Sequence, residues 1–390
     1  MKKKILFING HLNTGGVEKS LVDILKHLDM EKFEIELLLL EERGDYCNEI
    51  SEQVKVRLFD MHNTYGSVFQ CLKNCVKHKD WKCLWVRMVF LLSKFFGKEK
   101  YKFIRKTVVG NQEYDCVVGF RPGIASELAA YAVNSKKRVT WWHHGEFNMS
   151  AQQAKDYMNV CRRMDQIVVV SKGCVDFLKK QFPNFENKMV VIPNMLDIEA
   201  IQQKADEYLP FEKKDGVFDF VSVGRLSPEK HFENIICLAK SIVEMGNRDC
   251  RWFIVGDGSE RTFLEKLIRE NNLIKQVILV GSKSNPYPYM KNADYVVHTS
   301  YVESQCLAVL EAMSLGKICV VTESIGPKEF AIDGDNCILV EPNLKSLEKG
   351  IEKILENQLK FCNIELSAVK TAKEYAVERI MIKIQNLLNM

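Results

Sequence analysis

Residues 295–321 read YVVHTSYVESQCLAVLEAMSLGKICVV. The stretch opens on an apolar run, Tyr295–His298, crosses a polar loop, continues through a helix-period segment and, after Gly316, enters a second apolar run at Ile318–Val321. Short runs that are apolar on both faces suit parallel strands covered by helices on each side. One strand, one helix and a second strand make a crossover unit, and the same grammar recurs along the chain. In the second half it gives Phe218–Gly224, Trp252–Gly256, Val277–Val280 and Ile338–Val340 as further strands. In the first half it gives Lys4–Asn9, Phe33–Leu40, Val54–Phe59, Asp115–Phe120, Arg138–His143, Gln166–Ser171 and Met189–Pro193. Two doubly wound, Rossmann-like α/β domains in tandem are predicted. The polar stretch Asp197–Asp215 parts the two series, so the expected boundaries are 1–195, a linker at 196–215, and 216–365.

Composition narrows the function classes. The chain has 390 residues, of which 46% are apolar and 27% charged, as in an ordinary globular protein and unlike a disordered chain. Lys and Arg number 55 against 51 Asp and Glu, a net +4 too small for a dedicated nucleic-acid binder. The thirteen cysteines are odd in number and scattered, with no C-x-x-C. The closest pair, Cys71 and Cys75, resembles no paired metal-ligand motif, so free thiols in a reducing compartment are expected. The apolar run Ile5–Ile8 stops at Asn9-Gly10, too short for a signal-peptide core. Cys83–Leu92 is interrupted by Arg87 and falls short of the roughly 20 residues that cross a bilayer. A cytoplasmic location is the expectation.

In open α/β sheets, ligands bind beyond the carboxyl ends of the strands. The first run ends in Asn9-Gly10 and leads through Gly15-Gly16-Val17-Glu18 into a helix. Gly224-Arg225 closes another run and is followed by Glu229-Lys230, which places two cations beside a helix start. Both ends suit phosphate. A nicotinamide site is disfavoured, because Gly256-Asp257-Gly258 lacks the third glycine of G-x-G-x-x-G, and no G-x-x-x-x-G-K-[ST] loop occurs. Within residues 295–321, Glu303 sits in the loop and Glu311 eight residues later in the helix. Two carboxylates looking into one crevice accept hydrogen bonds from vicinal hydroxyls such as those of sugars; the alternative is a pair of solvent-facing glutamates.

With these motifs the chain resembles the retaining glycosyltransferases of family 4, which have the two-domain GT-B fold and use nucleotide-sugar donors. The resemblance rests on Glu303-x7-Glu311, Gly224-Arg225-Leu226 with Glu229-Lys230, Gly15-Gly16-Val17-Glu18 and Val191-Ile192-Pro193-Asn194, and it covers nearly the whole chain. It implies that Arg225 and Lys230 neutralise the donor diphosphate, that Glu311 holds the ribose and that Glu303 faces the transferred sugar. Backbone N–H groups at Gln305, Cys306 and Leu307, together with Gly15 and Gly16, would meet sugar or phosphate oxygens. The loop from Gly281 to Tyr289 would border the base. It further implies a UDP-linked donor, a glycan or lipid-linked acceptor, no cofactor and no metal, and a C-terminal helix at about 366–390 returning to the first domain. The lone Asp-x-Asp, Asp333-Gly334-Asp335, is read as a turn. A non-catalytic GT-B partner subunit and a sugar-nucleotide epimerase are the alternatives.

Two features depart from the family or stay open. The family commonly has Gly-Phe-Gly after the first glutamate, where this chain has Ser304-Gln305-Cys306, so a left-handed backbone there would carry strain. In Trp141-Trp142-His143-His144-Gly145, alternation along a strand predicts that one histidine reaches the cleft, either His143 or His144. Finally, Lys73–Lys106 holds eleven Lys and Arg against Asp80 and Glu99, interleaved with Trp81, Trp85, Met88 and Leu92. That stretch is either an anionic-membrane face or a core-packed helix with a solvated basic side.

Overall fold

The computed structural model describes residues 2–41, 44–61, 68–92, 95, 97–145, 149–245, 249–356 and 362–389. The first sheet comprises β1 (Lys3–Asn9), β2 (Phe33–Leu39), β3 (Lys55–Leu58), β4 (Glu113–Gly119), β5 (Asn134–Trp142), β6 (Gln166–Val169) and β7 (Met189–Val191). The second comprises β8 (Val217–Val223), β9 (Asp249–Val255), β10 (Val277–Gly281), β11 (Tyr295–His298), β12 (Ile318–Thr322) and β13 (Ile338–Val340). Their spatial orders are β3-β2-β1-β4-β5-β6-β7 and β10-β9-β8-β11-β12-β13, with the strands running parallel. Each apolar run named above coincides with a strand. β5 and β9 begin earlier than their apolar runs, at the exposed Asn134 and Asp249, because ladder pairing continues to the sheet rim where burial does not.

Both orders reverse next to the first strand of their sheet, between β1 and β4 and between β8 and β11. Such switch points splay the following loops and open a crevice beyond the strand ends. The strands beneath are fully buried: Ile5, Leu6, Phe7 and Ile8 in β1, and Phe220 and Val221 in β8, are all at 0% exposure. At roughly 1.5–3 kcal/mol per buried side chain, these runs anchor the crevice on rigid supports.

The polar stretch 196–215 is not a bare linker. Asp197 accepts a hydrogen bond from the Ala200 N–H and caps a helix, Ile198–Ala205, that buries Ile201 and Ala205. So few apolar residues concealed it from pattern reading. The C-terminal return expected over 366–390 is made by two helices. The first, Cys362–Lys373, stays on the second domain, where Ala368 and Ala372 pack in one cluster with Leu310 and Met313. The chain then crosses at Leu196, whose N–H donates to the Tyr375 carbonyl at 2.8 Å. The second, Val377–Asn389, buries Ile380, Met381, Ile384, Leu387 and Leu388 in the core of the first domain.

Candidate active site

On the second-domain wall, β8 delivers Gly224-Arg225, a short turn Pro228–Lys230 delivers Lys230, and β11 ends at His298. The Glu303 carboxylate, in the loop after β11, contacts Lys230 Nζ and lies 2.9 Å from His298 Nε2. Burial alone would push this carboxyl up; Lys230 and His298 outweigh it and hold Glu303 at about 2. Burial would likewise lower Lys230, and Glu303 outweighs it in the upward direction. Arg225 is exposed on the same wall.

Glu311 lies eight residues on, in the helix Leu307–Ser314, and is buried. Tyr287 Oη donates to it at 3.2 Å, and Lys19 Nζ of the first domain sits 3.6 Å away while bridging Asp23 at 2.8 Å. Burial pushes the Glu311 carboxyl up and Asp23 adds to this, against the pull of Lys19 and the Tyr287 hydrogen bond. The helix begins at Cys306, whose φ of 68° and ψ of 64° are left-handed. The strained conformation that Gly-Phe-Gly would relieve is therefore kept, and a cysteine carries it at a cost on the order of 1–3 kcal/mol.

On the first-domain wall, Gly15 and Gly16 open the helix Gly16–His27, which carries the buried Glu18 3.3 Å from Arg121 Nη1. β5 ends at Trp142, so His143 and His144 both lie beyond the strand. Alternation no longer applies there, and both line the cavity, which corrects the expectation that only one would. His143 is buried, stacked on Trp141 with ring centroids 6.0 Å apart and tilted against Phe120 at 4.7 Å. Neither ring nitrogen makes a hydrogen bond of good geometry among the described residues, although the Phe120 backbone lies close enough to favour a proton on the ring. Burial lowers its pKa well below the ordinary histidine value, with His144 and Arg121 adding to the effect. Burial, then Arg121, also lowers His144.

The walls enclose a cavity of about 930 Å³ lined by Gly15, Gly16, His143, His144, Arg225, Lys230, Glu303, Gln305, Cys306, Leu307 and Glu311. Gly281 does not line it. Its φ of 82° turns the chain, its carbonyl accepts the Gly256 N–H, and its successors Ser282, Lys283 and Ser284 face the cavity instead. The Gln305 side chain is also spent elsewhere: Oε1 accepts the Asn194 N–H at 2.6 Å, and Nε2 donates to the Asn194 carbonyl at 2.9 Å. Asn194 Oδ1 in turn accepts Ser20 Oγ at 2.8 Å, so this trio ties the domains together. The backbones approach closely, since a Cβ on Gly145 would stand 3.0 Å from the Glu303 carbonyl carbon. Asp333 and Gly334 form a turn in which Asp333 Oδ1 accepts the Leu339 N–H at 3.0 Å.

Sequence reading missed His298, Lys19, Tyr287 and the tie at Asn194. His298 could have been found by the strand-end rule that flagged His143, since it is the last residue of β11. Lys19 and Tyr287 carry no local signal, because they meet Glu311 only through the fold.

Comparison with known proteins places this geometry. Residues 14–200 match the family described as Glycosyltransferase Family 4, and residues 204–375 match Glycosyl transferases group 1. The N-acetylgalactosamine-N,N'-diacetylbacillosaminyl-diphospho-undecaprenol 4-alpha-N-acetylgalactosaminyltransferase of Campylobacter jejuni is 30% identical over 197 residues, 50% of this chain. That match takes in 52% of the relative, so the chain spans about half its length. The UDP-Gal:alpha-D-GlcNAc-diphosphoundecaprenol alpha-1,3-galactosyltransferase of Escherichia coli is 26% identical over 339 residues, 83% of this chain and 78% of the relative. Among solved structures, Anabaena Alr3699/HepE in complex with UDP and glucose superposes with a TM-score of 0.75 over 99% of both chains at 20% identity, which establishes the GT-B fold.

Proposed function

Since the chain belongs to glycosyltransferase family 4, with a group 1 glycosyl transferase module as its second half, we propose that it moves a sugar from a UDP-linked donor to a glycan or lipid-linked acceptor with retention of configuration. The observation that carries this reading is the single cavity in which Arg225, Lys230, Glu303 and Glu311 face His143 and His144. The two relatives support the donor and acceptor classes, being named for diphospho-undecaprenol-linked acceptors and, in one case, for UDP-Gal. Both are named for α-linkages. Nucleotide donors of D-hexoses are α-linked, so an α-product means retention.

In this mechanism Glu311 accepts hydrogen bonds from the ribose hydroxyls, and Arg225 and Lys230 meet the diphosphate. The bond between C1 and the phosphate oxygen breaks, the acceptor oxygen bonds C1 on the same face, and the acceptor proton passes to the leaving phosphate. Positive charge aimed at the leaving group acts where negative charge develops. Glu303 serves as the counter-ion that holds Lys230, and no protein nucleophile is required. Retention of Arg225, Lys230, Glu303 and Glu311 speaks against a non-catalytic subunit. The test is a panel of mass-tagged nucleotide sugars scored for slow hydrolysis without acceptor. Turnover of a UDP-sugar is expected; no hydrolysis and no nucleotide binding across the panel would overturn the reading.

The reading extends to the cytoplasmic membrane surface. No helix among the described residues is long and apolar enough to cross a membrane. The helices Val68–Lys77 and Trp81–Leu91, however, expose Phe69 at 82%, Val76 at 59%, Trp81 at 63% and Trp85 at 48%, interleaved with exposed Lys73, Lys77, Lys79 and Lys82. The helix Trp81–Leu91 packs Val86 and Val89 into the first-domain core, and the apolar side chains left on its outer face support an interfacial role for that face. Basic residues nearer the segment's end are engaged: Lys98 pairs with Glu127 and Asp156 at 2.8 Å each, and Lys102 with Glu99 at 2.5 Å. Lys94 lies outside the described residues. Salt-sensitive sedimentation with anionic vesicles is expected, lost when Lys73, Lys77, Lys79 and Lys82 are changed to Glu, at about 1 kcal/mol per cation. No sedimentation at low salt would end this part of the proposal.

A further inference from the structure

Behind that exposed face lies a feature unrelated to the cleft. Cys71 and Cys75 stand one turn apart on the helix Val68–Lys77, and Cys83 faces them from the first turn of Trp81–Leu91. All three are buried, and among the described residues they form their own small cluster, separate from the main cores, with Leu84 packed against it. The three Sγ atoms lie within 4.8 Å of one another, and Cys71 and Cys75 are 3.8 Å apart. A tetrahedral zinc with Zn–S bonds of about 2.3 Å sets its sulfurs about 3.8 Å apart. The linear spacing Cys71-x3-Cys75-x7-Cys83 matches no ligand motif; the turn between the helices assembles the group.

We propose that Cys71, Cys75 and Cys83 bind one zinc ion as three thiolates and so staple the two helices together. On binding, three S–H bonds break, three Zn–S bonds form and three protons pass to solvent, leaving the site with a net charge of −1. Arg87, on the same helix as Cys83, exerts a field that favours the Cys71 thiolate. Asp80, whose Oδ1 accepts the Cys83 N–H at 3.0 Å, fixes the turn that presents Cys83. Among the described residues, no fourth metal-ligating side chain joins the three. The helix Trp81–Leu91 is anchored in the first-domain core by Val86 and Val89, whereas the helix Val68–Lys77 meets it through the cysteine cluster, so a metal there would fix the first helix to the second. Thiols bind zinc as thiolates, so binding releases protons and affinity should rise with pH. The staple holds the inner seam of the hairpin whose outer face is assigned to the membrane, and the two readings fail separately.

The test uses the full chain, reduced and freed of metal with a chelator. Competition with a chromophoric chelator should give one equivalent of bound zinc, and cobalt in its place should show thiolate-to-metal charge-transfer absorption. Cys83→Ser should weaken zinc binding by about tenfold or more, while Cys237→Ser, at an exposed cysteine of the second domain, should leave it unchanged. Because Cys83→Ser could loosen the hairpin, alkylation of the unsubstituted chain mapped by mass spectrometry stands beside it. Because the three thiols are buried, the alkylation is run in mild denaturant that exposes them in the metal-free chain; zinc should then protect Cys71, Cys75 and Cys83 and leave Cys237 reactive. Substoichiometric binding, unchanged alkylation, binding indifferent to Cys83→Ser, or a disulfide within the trio in the chain as isolated would each overturn the proposal.

Discussion

The two walls of the cleft are built by the same rule, side chains set just beyond parallel strands, and both carry ion pairs, Glu18 with Arg121 on one and Lys230 with Glu303 on the other, yet the groups at their strand ends differ in charge. The second-domain wall is ionic and largely paired: Lys230 and His298 Nε2 both meet Glu303, and Glu311 is met by Tyr287 and Lys19. At the end of the first-domain strand β5 stands a buried imidazole held neutral by desolvation, with aromatic rings on two sides and no counter-ion among the described residues. A ligand on the ionic wall must exchange partners, taking Lys230 from Glu303. A hydroxyl arriving at His143 meets a buried neutral ring beside the Phe120 backbone, with no counter-ion to displace. Binding on one side is a substitution of contacts and on the other an addition, which suits a charged donor there and a neutral acceptor here.

The largest effect should come from breaking the ionic wall. Lys230→Ala leaves the partly buried Glu303 with His298 alone, a loss below the roughly 3–5 kcal/mol of a fully buried pair. It also removes charge from the leaving group, so turnover should fall by roughly 10²–10³-fold. Melting curves and hydrolysis rates check both. A variant with wild-type melting and activity would show the wall to be unpaired in solution.

The two glutamates sharpen the contrast within that wall. Glu311→Ala should weaken UDP binding by about 1.5–3 kcal/mol in calorimetry. Glu303→Ala frees Lys230 for the diphosphate, so nucleotide affinity should hold while turnover drops. Equal losses of affinity in both would contradict the assigned roles.

Next comes the neutral ring. The folded pKa of His143 lies below its ordinary value of 6.5, so its contribution to stability is present above that pH and is lost as the pH falls and the buried ring must charge. His143→Gln removes that liability. Its melting temperature, relative to the unsubstituted chain, should rise steadily as the pH drops from about 7.5 to about 5. A pH-independent difference would show that the ring is solvated. Turnover in the variant should fall while UDP affinity is kept.

How much of this was legible in the sequence follows the same division. Parallel strands buried on both faces leave continuous apolar runs, so β1 to β13 could be read directly. The ionic wall could be read because Arg225 with Lys230, and Glu303 with Glu311, sit on short local segments. The helix Ile198–Ala205 escaped because its stability comes from a cap and two buried side chains rather than a stripe. Lys19 and Tyr287 escaped because they reach Glu311 from segments distant in the chain, and pairwise chemistry of that kind leaves no spacing to read. The engagement of Gln305 with Asn194 escaped for the same reason, although both residues had been singled out.

The smallest expected effect concerns strain, which the ionic wall stores at Cys306. A left-handed φ costs a non-glycine residue about 1–2 kcal/mol, because its Cβ crowds the following carbonyl oxygen. Cys306→Gly removes that cost but also removes a buried side chain and adds backbone freedom to the unfolded chain, about 0.5–1 kcal/mol against alanine. Cys306→Ala keeps the Cβ and the strain while losing the sulfur's contacts with its apolar cluster. The two substitutions therefore differ mainly in strain, and Cys306→Gly should be the more stable by about 1 kcal/mol or less. Thermal melting of the pair decides it. Equal stability, or the reverse order, would mean that the loop after Glu303 relaxes out of the left-handed region and that the start of the Leu307–Ser314 helix is not held by strain at its cap.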